Sequence, residues 1–251
     1  MKEYSMISDY MNNDKYRLSF NKLAINTFGL DFNDWYQKKL FYSKYICYSY
    51  INKEEVIANV SINKMDLIVE GQKKKAIQLG TVMTHNDYRN QGLSASLINH
   101  IIEEYENQCD IIYLFANNRV LDFYPKFGFE KVIENAYEIK ANQLQKKEAS
   151  IKKIRVDNEE DYKTIVRLVS NRQPVSGQLG VYNDIWPLLT YCIYEYKEDL
   201  YYLAEEDTIV IMRREEERLY IYDIISLKPI DLDSIIAVSY THLRAHETSA
   251  H

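Results

Sequence analysis

The run Arg89-Asn90-Gln91-Gly92-Leu93-Ser94-Ala95 stands where a polar turn meets an amphipathic segment. The first N–H groups of a helix have no partner inside it, and with the helix dipole they attract an anion. Gly92 supplies a positive φ or a close backbone approach at such a turn. Arg89 adds a planar, permanently charged donor. This is the chemistry of a phosphate cradle. An R-x-x-G tetrad alone fits an ordinary helix start equally well, so the neighbouring elements have to decide.

Residues 76–84 are apolar and β-branched and read as a strand that runs directly into the turn. After it, Leu93, Leu97, Ile98, Ile101, Ile102 and Tyr105 share one helical face, with Asn99, His100, Glu103, Glu104 and Asn107 opposite. Residues 111–116 are a short apolar strand. Upstream, the spacing of Leu18, Leu23, Ala24 and Phe28 predicts a helix over 15–28, capped by Asp14 and closed by Gly29. A shorter helix is expected over 31–40. Residues 45–51 and 56–62 flank Asn52-Lys53-Glu54 as a hairpin. Residues 66–69 pair with 76–84 around Gly71 and a turn of Lys73, Lys74 and Lys75. Beyond residue 116 a short helix over 120–126 stops at Gly128, and 129–133 begins another strand.

A second pattern follows the second strand: Asn117, then Phe123-Tyr124-Pro125-Lys126-Phe127-Gly128-Phe129. With both patterns in this order, the chain resembles the GNAT superfamily of acyl-CoA-dependent N-acyltransferases over about residues 10–140. The family's Q/R-x-x-G-x-G/A motif is met by Arg89, Gly92 and, with a change, Ser94. Its N-x-x-A-x-x-(F/L)-Y-x-K-x-G-F pattern is met by Asn117, Phe123, Tyr124, Lys126, Gly128 and Phe129. Asn86 replaces the common proline and Val120 the common alanine. None of these changes removes a required donor.

The resemblance implies an α/β (α+β) fold: a mixed, mostly antiparallel central sheet with flanking helices. It also implies acetyl-CoA as acyl-donor co-substrate and no metal. Two parallel strands, 76–84 and 111–116, would splay apart, with backbone groups of Val82 and Thr84 pairing with the pantetheine arm. The N–H groups of Asn90, Gln91, Gly92, Leu93, Ser94 and Ala95, with Arg89 nearby, would take the pyrophosphate, and Asn117 would contact the cofactor. A backbone N–H at Val82 or Met83 would face the acyl oxygen. Tyr124 is the expected catalytic acid for the thiolate. The general base is left open among Asp66, Glu70, His85 and water. The implied reaction is direct attack of a primary amine on acetyl-CoA in a ternary complex. The amine is a small molecule or a peptide amine, with the small molecule favoured. A non-catalytic acyl-CoA-binding module and a protein acetyltransferase are the alternatives.

Composition narrows the partners. The formal net charge of −6 disfavours nucleic acid, whose binding draws on Lys and Arg neutralising phosphates. No apolar run is long enough to span a membrane. Cys47, Cys109 and Cys192 form no C-x-x-C pair, so a cytoplasmic, reducing setting is expected. The chain reads as a GNAT-like domain over 1–140, a charged linker over 141–156 and a smaller, incomplete α+β domain over 157–238. The last is expected to be a degenerate GNAT-like half, as in bacterial two-domain proteins of this type. It carries a helix near 159–171, strands at 200–204, 208–212 and 219–225, and Trp186-Pro187 with nearby tyrosines as core. A homodimer through this half is left open. Residues 239–251, with His242, His246 and His251, break from the rest in composition and read as a non-native tail, not a metal tract.

Overall fold

The computed structural model describes residues 4–37, 44–133, 137–140, 150–182, 185–216 and 218–248. The backbone forms two units: Met1–Leu67 with Gln72–Val132, and Ile68–Gly71 with Ile133–His251.

The first unit is built on strands β1 (Ser5–Ser8), β2 (Tyr45–Asn52), β3 (Glu55–Val69), β4 (Gln72–Thr84) and β5 (Ile111–Leu114), adjacent in that order. β1 and β2, and β2 and β3, pair antiparallel, whereas β4 and β5 pair parallel. Lys53 and Glu54 turn β2 into β3, and Glu70 and Gly71 turn β3 into β4, all four at positive φ. Such two-residue turns match the right-handed twist of the strands they join. The lysine turn expected at Lys73, Lys74 and Lys75 is therefore strand, because the chain reverses at Glu70 and Gly71.

Helix α1 (Asp14–Phe28) is capped by Asn13, one residue before the expected Asp14, and ends at Gly29 in the left-handed region. Phe20, Leu23 and Ala24 are its buried residues, while Leu18 and Phe28 of the predicted face are exposed. A five-residue helix, α2 (Asn33–Gln37), follows. Helix α3 (Leu93–Tyr105) buries Leu93, Leu97, Ile98, Ile101 and Tyr105, as its periodicity predicts. These side chains form one core cluster with Ile57, Ala58, Val60, Ile62, Ile77 and Leu79 of the sheet.

Two expected elements do not form. Residues 120–123 are turns, and a short 3₁₀ helix, Tyr124–Phe127, carries Pro125 before Gly128 closes it at φ 86. Proline lacks the N–H an α-helix interior needs and disfavours the α region for the residue before it, so Pro125 fits a first turn and not the sixth position of a helix over 120–126. Residues 129–133 make no strand, and Val132 and Ile133 are exposed.

The second unit contains β6 (Ile151–Lys153), α4 (Glu159–Asn171), β7 (Leu179–Tyr182), α5 (Ile185–Tyr194), β8 (Leu200–Leu203), β9 (Thr208–Glu215), β10 (Arg218–Ser226) and α6 (Leu232–Thr248). Its sheet has the order β10-β9-β8-β6, all antiparallel. Asn158 caps α4 by accepting the Asp161 N–H at 3.0 Å. Leu203, Val210, Met212, Ile224, Ile235 and Val238 form a core. The expected linker is in part structural, since Ile151–Lys153 is a strand of this sheet, while 141–149 lies outside the described residues. Helix α6 runs without a break across the expected boundary at 238, and Ser239 is fully buried. The side chains of Trp186 and of the tail histidines lie outside the described set. No helix among the described residues is long and apolar enough to cross a membrane.

Candidate active site

The site begins where β4 leaves β5. The two strands pair from Ala76 with Ile111 to Leu79 with Leu114, and β5 ends there. β4 continues to Thr84 with its β5-side edge open over the last residues. Parallel strands that part in this way expose unpaired N–H and C=O groups, which accept an extended ligand as a further strand.

Which backbone groups face the opening depends on one residue. Lys75 bonds Asp110 through both its N–H (2.9 Å to the carboxylate) and its carbonyl (2.8 Å from the Asp110 N–H). Odd-numbered residues of early β4 thus turn toward β5. Past Thr81 the alternation is reversed, because the His85 N–H bonds the Ile57 carbonyl on β3 at 2.8 Å. The register agrees. Asn63 on β3 bonds Gln78 on β4, and from there β3 takes six steps to Ile57 while β4 takes seven to His85. The extra residue is a bulge at Thr81, whose φ is 48°. Side chains change face with it. Ile77 and Leu79 lie in the α3-side core, and after the bulge Val82 packs there and Thr84 bonds Ser94 of α3 at 2.7 Å. Val82 and Thr84 therefore turn their backbone groups to the open edge, and Met83 turns toward β3 with its side chain buried.

β4 leads straight into the turn before α3. His85 opens a 3₁₀ turn, Asn86–Tyr88, by accepting the Asp87 N–H, and the Arg89 Nε–H donates to the Thr84 carbonyl at 3.3 Å. Asn90 at φ 61 and Gly92 at φ 78 are both left-handed. Gly92 is the N-cap of α3 and supplies no side-chain cap. A Cβ built on Gly92 meets nothing within 4 Å, so glycine serves the backbone angle here and not a tight contact. Gln91 is exposed; it accepts from the Tyr4 hydroxyl at 3.2 Å and donates to the Asp87 carbonyl at 3.3 Å. The helix start thus presents N–H groups of Leu93, Ser94 and Ala95 without a side-chain cap, next to a cationic side chain, and fits a diphosphate.

On the α3 side of β4, Tyr124 is nearly buried in the core that Val82 packs against. Its ring meets Phe123 and Phe129 edge-on at 5.3 and 6.1 Å. Burial raises its phenol above the ordinary value, so it stays protonated at neutral pH. Its hydroxyl makes no hydrogen bond among the described residues. Asn117 follows β5, and its side-chain oxygen accepts the Arg119 N–H at 3.0 Å, shaping a turn.

Residues 10–132 match the family model described as "Acetyltransferase (GNAT) domain". This chain carries a GNAT acetyltransferase domain. Among solved structures, it is similar to a conserved protein from Enterococcus faecalis V583 described as a probable N-acyltransferase, with a TM-score of 0.67 and 17% identity over 99% of this chain and 63% of that one. A GCN5-related N-acetyltransferase from Kribbella flavida matches with a TM-score of 0.57 and 13% identity, over 98% of this chain and 62% of that one. The chain thus spans less than two thirds of either protein, and at these identities the likeness is one of fold. No curated protein sequence matches.

Of the base candidates in the GNAT domain, His85 alone adjoins the opening, directly after Thr84. Its Nδ1 accepts the Asp87 N–H at 3.3 Å. Asp66 is paired with Lys44 at 3.1 Å. Glu70 is a turn residue of the hairpin tip that clusters with the second unit. His100 lies on the solvent side of α3, 3.5 Å from Glu104.

Sequence reasoning missed the residues beneath the bulge. Asn59 is fully buried and its amide donates to the Thr81 carbonyl at 2.9 Å, while the Tyr45 and Thr81 hydroxyls are 3.1 Å apart. The signal was there as Asn59, Ser61 and Asn63 alternating with Val60 and Ile62, which reads as a solvated strand face until both faces prove buried.

Proposed function

We propose that the chain is an acetyl-CoA-dependent N-acetyltransferase acting on a primary amine in the cytoplasm, by direct transfer within a ternary complex. The carrying observation is the opening of β4 after Leu79, with Val82 and Thr84 turned outward, running directly into the uncapped start of α3.

Acetyl-CoA, when bound, supplies an activated acyl thioester. Val82 and Thr84 would hold the pantetheine arm by backbone bonds, and the N–H groups from Asn90 to Ala95 would hold the pyrophosphate with Arg89. The Val82 N–H would serve the acyl oxygen, where negative charge gathers during attack; a donor fixed in place there is worth several kcal/mol. Alternation turns Met83 away from this task. The amine attacks as the free base, having given its ammonium proton to solvent. An N–C bond forms, the C–S bond breaks, the nitrogen loses its second proton to water, and Tyr124 gives the sulfur a proton that solvent restores.

A small-molecule amine is favoured over a protein lysine by the net charge of −6, which steers cations to the surface. Calorimetry with acetyl-CoA, alongside CoA release over a panel of small amines and a lysine peptide, tests the reading. Binding with turnover on a small amine is expected. Turnover on the peptide alone reassigns the acceptor. Binding without turnover on any amine makes the domain a non-catalytic acyl-CoA module, and absence of binding overturns the reading.

A further inference from the structure

The geometry points to Asn59 as a positioning residue that acts through Thr81: its buried carboxamide holds β4 in the bulge that turns Val82 and Thr84 to the open edge. The inference rests on the acetyl-CoA reading above and adds the residue that sets the register of that site.

Thr81 is an unfavourable choice for its place. A β-branched residue at φ 48° is strained, and such a conformation persists only where the surroundings over-determine it. Asn59 supplies the constraint. The Thr81 carbonyl can only accept, so the amide nitrogen must face it, and the bond is 2.9 Å long. The same nitrogen donates to the Ser61 hydroxyl at 2.9 Å. The amide oxygen accepts from Ser49 at 2.8 Å and from Tyr10 at 3.5 Å, and Ser49 and Tyr10 are 2.6 Å from one another. Asn59, Ser49 and Ser61 are all fully buried. Each polar atom of the carboxamide is thus committed, and the group cannot turn without breaking bonds in a site closed to water.

The consequence for function is one of parity. Were β4 regular through residue 81, Met83 would face the opening, and the groups of Val82 and Thr84 would be spent on β3. Val82 and Thr84 would also leave the α3 face, breaking the Thr84–Ser94 bond. A carboxamide on β3 therefore decides which β4 amides meet the ligand, without touching it.

The test separates the pantetheine arm from the nucleotide end. CoA and adenosine 3′,5′-bisphosphate, which lacks the arm, are titrated into the full chain and into Asn59→Ala, Asn59→Asp and the double variant Asn59→Ala/Thr81→Gly. The aspartate keeps the size and the acceptor oxygens but loses the amide donors. Glycine takes positive φ without strain, so the double variant needs no pin. In whichever Asn59 variant folds, CoA affinity is expected to fall roughly tenfold or more. Bisphosphate affinity stays within about twofold, and Thr81→Gly restores most of the CoA affinity. Unchanged CoA affinity, parallel loss of both ligands, or failure of the glycine to restore binding overturns the role of Asn59. Failure of the unaltered chain to bind CoA overturns the acetyl-CoA reading itself and this inference with it.

Discussion

The hydroxyl of Thr84 lies 2.7 Å from that of Ser94, joining the end of β4 to the first turn of α3. Ser94 is the residue at which the phosphate motif departs from its usual glycine or alanine. Its hydroxyl is committed to the strand and so braces the two elements on which the ligand would lie. Ser94→Ala removes a half-buried hydrogen bond worth about 1 kcal/mol. Acetyl-CoA affinity should fall by roughly fivefold or less, with the melting temperature lower by only a few degrees, as calorimetry and a thermal scan would report. A loss of a hundredfold or more would mean that the hydroxyl meets the phosphate directly.

Gly92 allows a sharper separation of causes. Its φ of 78° penalises any side chain, yet a Cβ there meets no atom within 4 Å. Gly92→Ala should therefore cost only the backbone term, about 1–2 kcal/mol, and weaken acetyl-CoA binding by roughly tenfold. Gly92→Glu adds a carboxylate where the proposed reading puts the pyrophosphate, and should abolish measurable binding. Equal effects of the two substitutions would show that charge at this position does not meet the ligand.

The difference between what was legible in the sequence and what was not follows from the range of the forces involved. α3 could be read directly, because Leu93, Leu97, Ile98 and Ile101 repeat at its own period and the turn before it needs Gly92. The β2–β3 hairpin was legible from two apolar runs around a polar turn. The bulge at Thr81 was not, since its cause is Asn59 on the neighbouring strand, and no local preference of threonine announces a positive φ. The strand expected at 129–133 failed for a related reason. Apolar β-branched residues such as Val132 and Ile133 make a strand only beside a partner edge. Pro125 limited the expected helix at 120–126 to a 3₁₀ turn, which its own chemistry should have forecast.

The buried side chains beneath the bulge predict an alkaline limit to stability. Burial pushes the Cys47 thiol from 9.0 up to about 12, and raises the phenols of Tyr10 and Tyr45 well above their ordinary value. Below the ordinary values both folded and unfolded chains keep these protons, and the stabilisation is complete. As pH rises through 9 the unfolded chain begins to release the Cys47 proton while the folded chain holds it to about 12, so stability falls across that window. Urea denaturation should show a lower midpoint at about pH 10 than at about pH 8, with a smaller difference in Cys47→Ala. An unchanged midpoint would mean that these groups are open to water.

Tyr124 carries the most direct chemical prediction. Its phenol is the proposed acid, and burial is the sole cause that raises its pKa. Tyr124→Phe keeps the ring and its edge-on contacts with Phe123 and Phe129, so the core and the acetyl-CoA affinity should hold. What is lost is the proton for the departing sulfur, and kcat should fall by roughly 10²–10⁴. The pH profile separates acid catalysis from packing. A phenol acts as an acid only while protonated, so in the unaltered chain the rate should rise as the amine becomes the free base and fall only above the ordinary phenol value of about 10. The phenylalanine variant should lack that fall. If instead kcat is unchanged, or falls in proportion to the folded fraction, Tyr124 is a packing residue and the thiolate leaves without its help.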